Sequence, residues 1–311
     1  MSLGEILCII DGMTDDHFRV EDYPNLHSLP QRKRIRTVPE GRQPESLTCI
    51  LTLLGYQNVP YHLRGYADAL GAGIEVQEND LILRTSWVKL SRDQRISGHT
   101  QAPSHFSPGA GADYYHLGTY KGLLVLPGQA DCLPGLSTYP PYQFIGASLD
   151  EVMPVGSDLL SKIVRHSFHI GSCLLPWGQS RPAALSPFDK RAAVITATDV
   201  VKGIARMTGM DIMPVSGTIG ETDTNLVAKA KAAIQAADDY PFVLLHINGA
   251  DEASHRLSLA EKQSFLRKID RVLIPRLTDS PHKFTIVSDH STDPFTGLHD
   301  GVFQEALTGN I

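Results

Sequence analysis

Aspartate and histidine residues follow several short apolar runs of the sequence and offer the ligand chemistry of a divalent metal ion. Asp11 follows the run ILCII, and Asp289 and His290 follow the run KFTIVS. Asp251 and His255 come shortly after the run FVLLHI, and their spacing of four residues places both on one face of a helical turn. Carboxylate and imidazole ligands of this kind favour Zn²⁺ or Mn²⁺ over Ca²⁺.

His299 completes a set of three aspartates and three histidines. It lies nine residues after His290, in a short loop with proline and glycine, so the loop can bring it back to the other candidate ligands. Each residue alone has an ordinary explanation, because strand-terminal aspartates often cap helices and a lone histidine often only fills a hydrogen-bonding position. The joint pattern favours a site for two metal ions, which would use this number of ligands fully.

Ser46 is the candidate nucleophile. It immediately precedes an apolar helical run from Leu47 to Leu54, which ends at Gly55. A serine at a helix N-terminus lies where backbone N–H groups and the helix dipole favour an anion, although it can equally serve only as a cap. Beside two metal ions the hydroxyl becomes a nucleophile without a histidine base, because coordination lowers its pKa.

The elements that position these residues predict an α/β fold. Short, continuous, β-branched runs are typical of strands covered on both faces, and helical patterns lie between them. The economical interpretation is a doubly wound, mostly parallel sheet with helices on both faces. In such sheets, ligands bind beyond the carboxyl ends of the strands. The predicted strands are 6–10, 192–195, 242–247 and 283–288, and the predicted helices are 199–207, 222–237 and 258–277.

The middle of the chain differs from both ends. Residues 76–171 contain many glycines and prolines and few long helical patterns, which predicts an inserted, smaller, β-rich cap domain. The catalytic core would then comprise residues 1–75 and 172–311. The alternative is a single domain in which this stretch is merely irregular.

Composition excludes several other classes. The 311 residues carry a net charge of −6, which argues against binding nucleic acid or an anionic membrane through a basic surface. Four scattered cysteines predict no disulfide scaffold and suit a reducing, cytoplasmic setting. No stretch approaches the roughly 18 apolar residues of a membrane span. The glycine-rich phosphate loops of nucleotide-dependent kinases are also absent from the sequence.

Several motifs, in order along most of the chain, resemble the archaeal-type cofactor-independent (2,3-bisphosphoglycerate-independent) phosphoglycerate mutases of the alkaline phosphatase superfamily. The match thins between about residues 86 and 169. The motifs that carry it are Asp11-Gly12, Ser46 with Gly55-Tyr56, the segments 64–75 and 202–206, Asp223-Thr224, Asp251 to His255, Asp289 to Thr292, and His299.

This resemblance implies an alkaline-phosphatase-like fold and a cytoplasmic, glycolytic isomerase that converts 3-phosphoglycerate to 2-phosphoglycerate through a phosphoserine at Ser46. It implies two divalent ions, manganese or zinc before magnesium or cobalt, and neither 2,3-bisphosphoglycerate nor a nucleotide. The partner is a small phosphorylated substrate, with no nucleic acid and no membrane. One ion would be held by Asp251, His255 and His299, and the other by Asp11, Ser46, Asp289 and His290.

The substrate's carboxylate and phosphate need cationic partners, for which arginine is well suited. Arg64 and Arg84 resemble family positions best, and Arg191 resembles a family lysine. For each of them the alternative is a solvated surface charge. Arg95, Arg181 and Lys190 are further cations available for the same purpose.

The chain also departs from the family. The family usually has an acid directly after the serine and a histidine four residues after it, where this chain has Leu47 and Ile50. We expect a shortened, divergent member with a short cap and without the family's closing strand and helix after His299. Two alternatives therefore stay open: a phosphohydrolase of the same superfamily, in which water accepts the phosphoryl group, and a relative that binds metal or a phosphometabolite without turnover.

Overall fold

The computed structural model describes residues 3–109 and 111–310. Within these residues the strands are, in chain order, β1 (Glu5–Ile10), β2 (Gln31–Arg36), β3 (Leu81–Leu90), β4 (Ile96–His99), β5 (Asp113–Gly118), β6 (Lys121–Leu126), β7 (Ser172–Ser180), β8 (Ala192–Ile195), β9 (Asp211–Ile212), β10 (Phe242–Ile247), β11 (Lys283–Val287), β12 (Ser291–Thr292), β13 (His299–Asp300) and β14 (Phe303–Gly309).

The helices complete the order of elements. Short 3₁₀ turns lie at Val20–Asp22, Ala130–Gly135, Pro141–Phe144 and Leu149–Val152. The α-helices of the described residues are α1 (Pro24–His27), α2 (Ser46–Leu53), α3 (Arg64–Ala72), α4 (Asp158–His166), α5 (Asp199–Thr208), α6 (Leu226–Asp239), α7 (Gly249–His255) and α8 (Leu259–Thr278).

Two compact units make up the fold. One comprises Met1–Val59 and Leu185–Ile311, and the other comprises Pro60–Ala184. The first unit has a seven-stranded sheet with the order β2-β14-β11-β1-β10-β8-β9. Its centre is parallel, because β1 pairs in parallel with both β10 and β11, and β10 pairs in parallel with β8. The predicted α/β fold with a mostly parallel sheet is confirmed.

Both faces of the central strands are covered. Ile6, Cys8 and Ile10 of β1 belong to a core that also contains buried residues of α6 and α8. The intervening residues Leu7 and Ile9 point to the opposite face and are buried as well. The apolar runs are continuous rather than alternating because both faces of these strands are covered.

The predicted strands and helices of this unit are found at nearly their predicted positions. The main difference is α6, which begins at Leu226 rather than near residue 222. Its start is set by Asn225, whose side chain accepts a hydrogen bond from the backbone N–H of Ala228.

The second unit is built on an antiparallel five-stranded sheet in which β3 pairs with β4, β6 and β7, and β5 pairs with β6. Helix α3 contacts β3 and β7. The unit is rich in β-structure, and its bounds, Pro60–Ala184, differ from the predicted 76–171. It begins earlier and ends later because α3 and β7 pack against or pair with β3, and these contacts hold both elements in the second unit.

The end of the chain corrects another expectation. The sequence after His299 suggested that no closing strand follows, yet β14 pairs antiparallel with β11 and with β2. Strand β2, with the sequence QRKRIR, forms the exposed edge. In the described residues, no helix combines the length and the apolar character needed to cross a membrane.

Candidate metal centre

The strand order of the first unit brings the predicted ligands to one edge of the sheet. Asp11 directly follows β1, Asp289 and His290 follow β11, and α7 with Asp251 and His255 begins just after β10. Strand β1 lies between β10 and β11, and all three are parallel. Their carboxyl ends therefore meet at one place, as the sequence predicts.

The first group of ligands, here called the Asp251 cluster, comprises Asp251, His255 and His299. Nε2 of His255 lies 3.3 Å from Oδ2 of Asp251, and Nε2 of His299 lies 3.3 Å from its Oδ1. The two Nε2 atoms are 3.2 Å apart. Three ligand side chains from two elements thus converge on one small volume, because α7 supplies an i, i+4 pair and β13 supplies His299.

The second group, the Asp11 cluster, comprises Asp11, Asp289 and His290, which are all buried. Nε2 of His290 lies 3.5 Å from Oδ1 of Asp11 and 3.4 Å from Oδ2 of Asp289. His290 also has a ligand atom within 4.8 Å of ligand atoms of Asp251 and His299. The two clusters are therefore adjacent, with His290 between them.

The Asp11 cluster has the unsatisfied groups that a cation would satisfy. Oδ1 of Asp11 and Oδ2 of Asp289 are buried and make no hydrogen bond within the described part of the chain. Burial raises the pKa of both carboxyls, and for Asp11 the charges of Asp289 and Asp251 raise it further. Buried carboxylates so close together are costly unless a positive charge joins them, so these residues fit a divalent metal ion.

The histidine rings are oriented for coordination through Nε2. Nδ1 of His299 lies 3.3 Å from the carbonyl oxygen of Pro44, and Nδ1 of His290 lies 3.3 Å from that of Ser291. A carbonyl oxygen only accepts, so each Nδ1 carries the proton and each Nε2 keeps its lone pair. Burial and the neighbouring His290 lower the pKa of His299 to about 3, which keeps this ring neutral.

Ser46 is the first residue of α2, and its Oγ lies 3.3 Å from Nε2 of His290. The helix is capped by the preceding residue, because the Glu45 side chain accepts a hydrogen bond from the backbone N–H of Thr48. The explanation of Ser46 as only a cap therefore fails. Its hydroxyl faces the Asp11 cluster instead, at the N-terminus of a helix.

Gly12 follows Asp11 in a conformation with φ of 63°. A Cβ atom at this position would lie 2.7 Å from Oγ1 of Thr292 and 2.9 Å from Cα of Asp251. Both the backbone conformation and the close approach of the two other segments require glycine here. Glycine therefore follows Asp11 because a side chain at this position would clash with other segments of the metal centre.

Two further residues contact the ligands and were not predicted from the sequence. Nε2 of His246 lies 3.3 Å from Oδ2 of Asp11, and the Thr292 hydroxyl donates a hydrogen bond of 2.8 Å to Oδ1 of Asp251. A histidine inside the apolar run FVLLHI was a usable signal for the first. Thr292 follows the Asp-His pair closely, but nothing in its residue type marks it.

The predicted substrate-binding arginines lie in different places. In the second unit, Arg64 and Arg84 approach the same carboxylate oxygen of Asp68, at 2.9 and 3.2 Å. Nε of Arg84 is buried and makes no hydrogen bond among the described residues. Burial alone would raise the pKa of Asp68, but the two arginines hold it below its usual value. The two guanidinium groups therefore concentrate positive charge, and Nε of Arg84 can donate one further hydrogen bond.

The position of Arg191 corrects the prediction that this residue binds the substrate. It directly precedes β8, whereas the metal ligands follow the ends of strands parallel to β8, so Arg191 lies at the opposite edge of the sheet. Its guanidinium donates to the backbone carbonyl of Asp239 and stacks on the Tyr240 ring, 4.5 Å from the ring centroid. The structure gives Arg191 no place beside the metal centre.

This fold, with two adjacent clusters of carboxylate and imidazole ligands at the carboxyl edge of its sheet, defines a metal-dependent enzyme class. The chain belongs to the Metalloenzyme superfamily, whose family model matches residues 6–299. Membership and the ligand clusters together imply dependence on a divalent metal.

Similar proteins agree with this assignment. A 2,3-bisphosphoglycerate-independent phosphoglycerate mutase 2 of Methanothermobacter thermautotrophicus is 27% identical over 94% of this chain and 85% of its own length. A 2,3-bisphosphoglycerate-independent phosphoglycerate mutase of Methanococcus aeolicus is 28% identical over 92% of this chain and 84% of its own.

Solved structures show the same fold. A protein from Pyrococcus horikoshii has a TM-score of 0.70 at 22% identity and covers 99% of this chain and 87% of its own. The cofactor-independent phosphoglycerate mutase from Thermoplasma acidophilum has a TM-score of 0.51 at 17% identity, covering 98% of this chain and 89% of its own.

Proposed function

We propose that this chain is a phosphotransferase that moves a phosphoryl group within a small phosphorylated acid through a phosphoserine at Ser46. The observation that carries the proposal is the position of the Ser46 hydroxyl, 3.3 Å from Nε2 of His290 and at a helix N-terminus. The proposed reaction is conversion of 3-phosphoglycerate to 2-phosphoglycerate. The names of the similar archaeal proteins support this choice of substrate.

Each ligand cluster would hold one metal ion. Asp251, His255 and His299 would hold one divalent ion, and Asp11, Asp289 and His290 with the Ser46 hydroxyl would hold another. Such ions supply positive charge that stabilises a transferring phosphoryl group and lowers the pKa of a coordinated hydroxyl. The donor set suits manganese or zinc, with magnesium or cobalt as alternatives.

The chain's own residues supply the covalent step. Oγ of Ser46 loses its proton and forms a bond to phosphorus while the ester oxygen of the substrate leaves and takes one proton. The glycerate then reorients, its other hydroxyl gives up its proton and attacks the phosphorus, the bond between phosphorus and Oγ of Ser46 breaks, and Oγ takes up a proton. The phosphoryl group comes from the substrate and returns to the same glycerate, so the cycle needs no second phosphoryl donor such as a nucleotide or 2,3-bisphosphoglycerate.

The second unit would bind the substrate's anionic groups. Arg64 and Arg84 hold two guanidinium groups next to one carboxylate, so the three side chains together carry an excess of positive charge. Arginine recognises carboxylate and phosphate through paired hydrogen bonds. We assign these two arginines to substrate binding and the second unit to a substrate domain.

A phosphohydrolase is the second candidate, favoured by one observation. Leu47 and Ile50 are buried apolar residues on the helix that begins with Ser46. Neither can donate a proton to a departing glycerate or take one from its attacking hydroxyl. Water would then replace the reoriented glycerate as the acceptor, and free phosphate would be the product.

The deciding experiment supplies 3-phosphoglycerate to the Mn²⁺-loaded full chain and measures both 2-phosphoglycerate and free phosphate. We expect the 2-isomer without phosphate release. Phosphate without isomerisation identifies the hydrolase, and neither product in a chain with bound metal identifies a binding protein. Ser46→Ala is the inactive comparison and Ser28→Ala, at an exposed serine, is the matched control.

A cytoplasmic setting stays a prediction.

A further inference from the structure

Thr292 occupies a fixed position between the two ligand clusters. It is fully buried in β12, where it lies directly opposite His299 of β13. Its backbone N–H donates to the carbonyl oxygen of Thr14 at 3.0 Å, and its own carbonyl oxygen accepts from Nζ of Lys262 at 2.8 Å. The backbone is thus held by three different segments, which leaves the side chain little freedom of position.

The Thr292 hydroxyl contacts one ligand from each cluster. Its Oγ1 lies 2.8 Å from Oδ1 of Asp251 and 3.2 Å from Nδ1 of His290. An ionised carboxylate only accepts hydrogen bonds, so the single hydroxyl proton goes to Asp251. The same oxygen is then left to accept a hydrogen bond from Nδ1–H of His290.

A second contact leads independently to the same assignment. Nδ1 of His290 also lies 3.3 Å from the carbonyl oxygen of Ser291, which cannot donate. Both neighbours of Nδ1 are therefore acceptors, and the ring proton must be on Nδ1. Nε2 of His290, which faces Asp11, Asp289 and Ser46, keeps its lone pair for a cation.

We propose that the Thr292 hydroxyl is a positioning group shared by both metal sites, which orients Asp251 for one ion and His290 for the other. This inference rests on the two-ion centre of the proposed function. It differs from that proposal because it assigns to one residue outside both ligand sets a simultaneous effect on both ions. Hydrogen-bond partners of metal ligands typically change metal affinity by about 10- to 100-fold when removed.

The test measures Mn²⁺ binding to the metal-free full chain by titration calorimetry, without substrate. Thr292→Val keeps the shape of the side chain and removes the hydroxyl, and we expect about 10- to 100-fold weaker binding of both ions. Thr292→Ser restores the hydroxyl and should restore affinity to near that of the unmodified chain. The matched control is Thr208→Val, because Thr208 is also buried but its hydroxyl donates only to helix carbonyls.

Three results would overturn the inference. The first is unchanged affinity in Thr292→Val, the second is weaker binding of only one ion, and the third is an equal loss in Thr208→Val. If Thr292→Val does not fold, nitrogen-15 NMR of the metal-free unmodified chain decides. A proton on Nδ1 of His290 supports the inference and a proton on Nε2 contradicts it. The signal of His290 is assigned as the one that is absent from the spectrum of His290→Gln.

Failure of this inference can be distinguished from failure of the proposed function. A chain that binds two Mn²⁺ ions and shows the expected Thr292→Val loss, but does not isomerise 3-phosphoglycerate, contradicts the function and supports the inference. A chain that isomerises the substrate while Thr292→Val binds both ions normally contradicts only the inference.

Discussion

The carbonyl oxygen of Pro44 lies 3.3 Å from Nδ1 of His299. Pro44 comes two residues before Ser46, and His299 is a member of the Asp251 cluster, whereas the Ser46 hydroxyl faces the Asp11 cluster. The segment that carries Ser46 is therefore tied to a ligand of the other cluster. This contact makes the position of Ser46 depend on both ligand groups, although its hydroxyl faces only one.

Metal content tests the two clusters directly. Full chain loaded with Mn²⁺ and freed of excess should retain about two ions, because each cluster offers a separate set of ligands. Asp251→Asn and Asp11→Asn should each reduce retention to about one ion, measured by elemental analysis. Asp16→Asn, at an exposed aspartate outside the clusters, should retain both. Retention of both ions in either cluster variant would contradict the assignment.

Acid should remove the ion of the Asp11 cluster first. Burial raises the pKa of Asp11 and Asp289, so protons compete with metal there at a higher pH. Burial alone would also raise the pKa of Asp251, but the charge of His255 holds it well below its usual value. The carboxylate of Asp251 therefore stays ionised as the pH falls.

The measurement is Mn²⁺ retention as the pH is lowered in steps from about 7, because carboxyls of raised pKa take up protons before ordinary ones do. The unmodified chain should lose one ion before the other. The Asp251→Asn variant should keep only the ion of the Asp11 cluster. That ion should be lost at the higher of the two pH values at which the unmodified chain releases its ions. If it is lost at the lower of these pH values, the order of the clusters is wrong.

Replacement of Ser46 by alanine should abolish turnover while the chain keeps its metal. The hydroxyl is the only group of Ser46 that can accept the phosphoryl group, and each cluster retains three other ligands. We expect kcat to fall at least about 1000-fold, as for loss of other nucleophiles. Mass spectrometry of acid-quenched, unmodified chain should find phosphate on Ser46 and none in the variant. Normal turnover of Ser46→Ala would exclude the phosphoserine route.

The strands that carry the ligands were predictable because burial on both faces leaves a continuous apolar run, as in FVLLHI. Strand β2 was not predicted, since QRKRIR forms an exposed edge and has no such run. Strand β14 was missed for a related reason: it pairs antiparallel at the side of the sheet, and its buried residues are interrupted by exposed ones. Periodicity detects the centre of a parallel sheet better than its edge.

Residues of the site were predictable where chain direction alone decides their place. Aspartates and histidines that follow parallel strands must meet, and Asp11 and Asp289 do. The same rule, applied to Arg191 before β8, would have excluded it from the centre. The contact of His246 with Asp11 depends on the register of β1 and β10, in which Ile9 lies opposite His246, and sequence does not give that register.

Arg84 should contribute to substrate affinity. Its Nε is buried without a hydrogen-bond partner in the described residues, and its guanidinium lies 3.2 Å from Asp68. Arg84→Gln removes a charged donor worth about 1.5–3 kcal/mol, which corresponds to about a 10- to 150-fold loss in kcat/KM. Metal retention should be unchanged. Arg191→Gln, at the opposite edge of the first unit's sheet, is the control and should keep normal kinetics; an equal loss there would refute a specific role for Arg84.

Lys229 should make stability rise with pH in the alkaline range. It is buried in α6, where its Nζ donates to the carbonyl oxygen of His246 at 2.9 Å. Burial lowers the pKa of Lys229 from an ordinary value of 10.5 to about 8, although Cys8 acts in the opposite direction. Between these values the unfolded chain holds a proton that the folded chain has released. Raising the pH therefore favours the folded state, by about 3 kcal/mol over the whole interval.

Lys229→Met isolates this effect, because it removes the titrating group and keeps an unbranched apolar side chain. The free energy of unfolding of the variant minus that of the unmodified chain should fall as the pH rises from about 8 to about 10.5, since only the unmodified chain gains stability there. Chemical denaturation at several pH values measures the difference. Lys231→Met changes an exposed lysine of the same helix and should give a difference independent of pH. A flat difference for Lys229→Met would mean that the buried amine keeps its ordinary pKa, and the charge beneath β10 would then be present throughout the neutral and alkaline range.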